Sequence, residues 1–171
     1  MRQDKTFDMF GLQYRTRQFT AVPALGMLEK DGDLSPAEML ANTQIKTKKG
    51  WIKLDTREGI NGHVFDAAGI LAPRVVLNAL LEIVNDFNFG FLYTWQGVRV
   101  PTRLQDEAKQ VASDNSDPMV SSLISGDVAT LRELEEYYSL EDAFKMFDIM
   151  TAKGVNAALS QEYAAAKSKK R

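Results

Sequence analysis

His63 is the sole histidine of the chain, and Asp66 follows it in the run Gly-Ile-Asn-Gly-His-Val-Phe-Asp. An imidazole exchanges protons near neutral pH and a carboxylate can orient it, so the pair has the makings of acid–base chemistry. No serine is marked by its surroundings as a nucleophile, and there are no cysteines, so the residues read instead as a loop histidine with a local hydrogen bond. Asp31-Gly-Asp33-Leu-Ser35 opens like a calcium loop. Its sixth position, however, is Pro36 where a glycine must turn the chain, and its twelfth is Asn42 where a bidentate glutamate is needed. Neither G-x-x-x-x-G-K-[ST] nor G-x-G-x-x-G occurs, so phosphate cradling has no support. The acidic pairs Glu135-Glu136 and Glu141-Asp142 fall at helix starts and exposed helix positions, where capping and the helix dipole explain them better than general acid–base work. No residue is assigned to catalysis, to a cofactor or to a metal. The expectation is a non-enzymatic protein.

At 171 residues the chain can form one domain, or a domain with an appendage, with a core that needs no staples. Its apolar share of 44% and charged share of 26% are those of a soluble globular protein. The missing cysteines fit a reducing compartment. Met-Arg-Gln-Asp-Lys-Thr at the start is not followed by an apolar signal core. The most apolar run, Val75 to Val84, is broken by Asn78 and Glu82 and is too short to span a bilayer. A soluble, cytoplasmic protein with no membrane partner is expected.

The net charge of −2 conceals segregation. Ten acids and two bases lie between Gln105 and Asp142, five bases and one acid between Lys46 and Arg57, and four bases with no acid between Lys167 and Arg171. Solvated surfaces account for this, and the same asymmetry leaves self-association open. The basic tail lacks interleaved aromatics on a slightly acidic chain, which argues against nucleic acid as a partner. The aromatics from Phe87 to Trp95 read as core, not as a base-stacking platform.

The pattern predicts a mainly α fold with a small N-terminal β-hairpin (α+β). Its helical C-terminal region ends in a long helix. Phe7, Met9, Leu12, Tyr14 and Phe19 alternate loosely around Gly11, as in a hairpin. A short helix follows over 21–30. Ser35-Pro36-Ala37-Glu38 is a capping box with proline in the first turn, predicting a helix to about Thr43. Lys49-Gly50 leads into a short extended segment, and the glycines of 56–69 punctuate a loop. Pro73 opens the central helix, with Val76, Leu77, Leu80, Leu81, Val84 and Phe87 at helical spacing and Gly90 as a stop. Alternation over 85–95 fits a strand; a helix continuing to about Asp86 is the other reading.

Residues 1–105 read as the N-terminal α+β domain, 106–118 as a flexible linker with little to bury, and 119–171 as the helical region with its basic tail. Thr130 and Ser139 are predicted caps, answered by Glu133 and Asp142. The last helix should reach about Ala166, roughly 40 Å at 1.5 Å per residue. It carries more apolar positions than one core-facing stripe needs. The candidate protein-binding residues are therefore Tyr137, Tyr138, Phe144, Met146, Phe147, Ile149 and Met150. Methionine suits an adaptable contact surface.

From Ser121 to Glu162 the chain resembles the small tail assembly chaperones of long-tailed bacteriophages. The matching text is Ser-Ser-Leu-Ile-Ser-Gly-Asp-Val-Ala-Thr-Leu-Arg-Glu-Leu-Glu-Glu-Tyr-Tyr-Ser-Leu-Glu-Asp-Ala, then 146–150 and 156–162. The opening from Phe7 to Phe19 and the stretch 85–100 are similar to the start and middle of such proteins, and together these cover about half the chain. The resemblance implies a protein of the host cytoplasm that acts in virion morphogenesis, binds the tape-measure protein and helps the tail-tube protein assemble around it. It also implies a mostly helical fold and, often, a longer form made by a ribosomal frameshift near the C-terminus. A virion structural protein of the tail or baseplate is the alternative.

Overall fold

The computed structural model describes residues 1–30, 34–105 and 115–168. Strands β1 (Asp4–Met9) and β2 (Leu12–Arg17) form the predicted hairpin. Its two-residue turn places both Phe10 (φ 49°) and Gly11 (φ 77°) in the left-handed region, which matches the right-handed twist of the flanking strands. A Cβ on Gly11 would come within 2.9 Å of the Ala67 Cβ, so backbone freedom and space both require glycine there.

The β part is larger than a hairpin. Strands β3 (Thr43–Thr47) and β4 (Gly50–Lys53) extend it to a four-stranded antiparallel sheet in the order β1-β2-β3-β4. Helix α1 is Ala21–Glu29. Helix α2, begun by the predicted Ser35–Glu38 capping box, stops at Met39, well short of Thr43. The chain beyond it alternates buried Thr43 and Ile45 with more exposed Gln44 and Lys46, and these β-branched residues fit a half-buried strand better than another helical turn. The supposed loop at 56–69 contains helix α3 (Arg57–His63), capped by the Thr56 hydroxyl accepting from the Gly59 N–H at 3.1 Å. Gly59 is a packing glycine: a Cβ there would sit 3.0 Å from the Lys53 carbonyl oxygen.

Helix α4 runs from Pro73 to Phe89 and continues as a 3-10 turn, Gly90–Tyr93. The strand reading of 85–95 is thereby replaced by helix. An 18-residue window within the 21 residues Pro73–Tyr93 has a mean hydropathy of 1.4, so by length and composition the stretch could cross a membrane. Val76, Leu80 and Val84 are nevertheless wholly buried in one cluster with Tyr14 and Ile45 of the sheet, Leu40, and Ile60 of α3. These positions form the core-facing side of α4, and 28% of the apolar window is buried in all.

After residues 106–114, where most of the expected linker lies outside the described residues, Asp117 caps helix α5 (Pro118–Ser125). Helix α6 (Leu131–Glu136) begins with the predicted Thr130–Glu133 capping box. Helix α7 spans Leu140–Ser168, 29 residues. Its cap is reciprocal, with Ser139 donating N–H and hydroxyl to Asp142 while the Asp142 N–H donates back to Ser139 Oγ.

Two further clusters join the ends of the chain. Ala21 of α1 packs with Val120, Leu123, Leu134 and Ala143 of the C-terminal helices and with Ala129 between α5 and α6. Phe19, Ala24, Phe89 and Leu140 form the junction with α4. The Ala21 N–H donates to the Tyr138 carbonyl at 2.9 Å, and Thr20 bridges to Ser139. The result is a mixed α+β fold in which α1 is shared by the sheet side and the helical side.

Candidate protein-binding surface

The residues that first invited chemistry have structural work or no partner. Asp66 accepts from the backbone N–H groups of Ala68, Ile70 and Leu71 at 2.9–3.0 Å, and these bonds hold its carboxyl below the usual range. A carboxylate so committed organises the turn before α4. His63 ends α3 and makes no side-chain hydrogen bond among the described residues, so neither the expected local bond nor a bond to Asp66 forms. Asp31 and Asp33 lie outside the described residues, and among those described no group of three or more potential ligands gathers around a metal position. Glu133 and Asp142 act as caps. Hydrogen bonds from Thr130 depress the Glu133 carboxyl.

The seven candidate contact residues separate. Phe144 closes a set of three edge-to-face rings with Phe91 and Trp95, centroids 5.5–5.7 Å apart. Tyr138, Met146 and Phe147 pack on the C-terminal cluster. Met150 is half-buried, its sulfur 2.6 Å from where a Cβ on Gly126 would stand. Only Tyr137, edge to face with Tyr138, and Ile149, 69% accessible, are open to solvent.

The larger apolar openings lie on both flanks of α1. Its sequence, Ala-Val-Pro-Ala-Leu-Gly-Met-Leu-Glu, is apolar on every side, yet only Ala21 and Ala24 are fully buried. A helix apolar all round needs cover all round. On one flank Val22, Leu25 and Gly26 face Val120, Ile124 and Leu131 across a cavity of about 450 Å³. On the other, Met27 and Leu28 face Met39, Phe89, Leu92 and Tyr93 across a second opening of about 450 Å³. Tyr93 is 81% accessible at its mouth. The second opening adjoins a smaller one that shares Leu34, Met39 and Asn85 with it.

These grooves were not among the expected contacts. The signal for them was present in α1, which has no polar residue between Ala21 and Leu28. Recognising them needed the positions of α4 and α5, which only the fold supplies. No family model, curated protein or solved structure matches the chain.

Proposed function

We propose that this protein is a non-enzymatic tail assembly chaperone of a long-tailed bacteriophage, acting in the host cytoplasm to bind the tape-measure protein and promote tail-tube assembly. The observation that carries the binding part is α1, whose Met27 and Leu28 line an apolar groove with Met39, Leu92 and Tyr93 that stands open among the described residues. Unbranched methionine repacks against partners of varied shape, as a long apolar client would demand. The resemblance of 121–162 to tail assembly chaperones supplies the identity of the client.

The test is co-expression with the tape-measure protein of the same phage. The wild-type chain should keep the tape-measure protein soluble. Leu28→Lys, which places a charge in the groove at a position 42% accessible, should fold normally and lose that effect. If the wild type solubilises nothing, or if the protein occurs at fixed copy number in purified virions, the chaperone reading falls. The latter result would favour a structural component of the tail or baseplate.

A further inference from the structure

The groove on the other flank of α1 differs in its rim. Glu29, Asp117 and Glu135 line it along with the apolar residues. Through Ile124 and Leu131 it continues into a second hollow edged by Asp127 and Glu133. No lysine or arginine lines either opening among the described residues. Asp117 and Glu133 hold helix starts, but Glu29 and Glu135 have no ion pair or hydrogen bond among the described residues. Ile124 and Leu131, 37% and 48% accessible, form an apolar floor that is not covered by any of the described residues.

Helix α7 presents the complement. Ile149, Lys153, Asn156, Ser160, Tyr163 and Lys167 recur at spacings of three and four, so they form one stripe, and all are exposed. The stripe is about 27 Å long at 1.5 Å per residue. Its two large apolar side chains, Ile149 and Tyr163, are 69% and 73% accessible. Its charges are both positive, and neither Lys153 nor Lys167 is paired among the described residues. Lys169, Lys170 and Arg171 follow in the sequence.

We propose that the chain associates head to tail, the outward stripe of α7 in one copy docking in the acid-rimmed groove beside α1 of the next. Apolar side chains left open among the described residues meet on both sides, and the flanking charges are opposite in sign. Opposite potentials fix the orientation and speed the encounter. Like charges also disfavour groove against groove and stripe against stripe. A contact between two different patches does not satisfy itself in a two-fold pair, so it propagates into rings or open chains. This interface stands apart from the chaperone reading, since it uses neither the methionine-lined groove nor any client.

Sedimentation velocity of the full chain at low and high salt tests it. The wild type should form species larger than a monomer at low salt and high concentration, and lose them as salt screens the charges. Glu29→Lys with Glu135→Lys, and separately Lys153→Glu with Lys167→Glu, should each remain folded and monomeric, because all four side chains are exposed. Mixing the two variants should restore association, since each retains the patch the other needs. A wild type that stays monomeric, variants that associate like the wild type, or a mixture that stays monomeric would each overturn the proposal.

Discussion

Tyr14 is fully buried, stacked on Phe7 at 5.6 Å, and its hydroxyl has no hydrogen-bond partner among the described residues. A buried hydroxyl without a partner costs about 1–3 kcal/mol, whereas its removal leaves the ring packing in place. Tyr14→Phe should therefore leave stability in denaturant unchanged or raise it, against the usual direction for a core substitution. Burial also pushes the phenol from 10.0 up to about 12. The folded state thus holds a proton that the unfolded state releases, so this group's contribution is intact below pH 10 and is lost as pH rises toward 12. The phenylalanine variant should lack that part of the alkaline loss; a variant much less stable at neutral pH would show that the hydroxyl is satisfied. Asn88 is the opposite case. Also buried, it accepts from the Phe19 N–H and donates to the Val84 carbonyl, both at 2.8 Å, so its polarity ties the end of the hairpin to α4 with both groups answered.

Helix starts are where local sequence and final structure agree most closely. Ser35, Thr130 and Ser139 each find the acid three residues on, because a cap needs only residues within one turn. Asp142 and Glu38 each accept three bonds. Partial burial raises the pKa of Asp142, but bonds from the Met1 ammonium and from Ser139 outweigh that and leave it lowered from 3.8. Glu38 is likewise drawn down to about 2, chiefly by its bond from Lys30 and then by those from Ser35. A depressed carboxylate adds stability above its unfolded value, and that stability is lost as pH falls through the folded one. Asp142→Ala should cost about 1 kcal/mol at pH 7, and the gap to wild type should close in urea titrations below pH 3.8. An equal gap at both pH values would show that the carboxylate is not its source. Less local elements were less legible. β3 is a five-residue strand whose partners in β2 lie 27–31 positions away, and α3 was hidden by glycines, one of which answers to contact with Lys53 and not to turn geometry.

At the scale of the molecule, the candidate site was legible only as excess apolar surface. The sequence placed that excess on the last helix, but much of it serves the packing of Met146, Phe147 and Phe144, and the open grooves belong to α1. Helix α7 itself changes character along its length. Near its start Leu140 and Ala143 are buried, whereas every residue from Ser160 to Ser168 is exposed. The segment 95–105, irregular but for a 3-10 turn at Thr102–Leu104, runs beside it, with Trp95 against Phe144, the Val98 N–H donating to Asp148, and Arg103 paired with Glu162 at 3.1 Å. An exposed ion pair of this kind is worth about 0–1 kcal/mol, too little to hold an end that buries no face. Amide exchange at high salt should accordingly show strong protection over 140–150 and protection near that of a free helix beyond 160. Truncation after Leu159 should shift the thermal midpoint by no more than about 2 °C, since exposed residues outside the core contribute little. A drop of many degrees, or uniform protection to Ser168, would mean that the far end of α7 is packed in the isolated chain, and that its outward stripe is not free to meet another molecule.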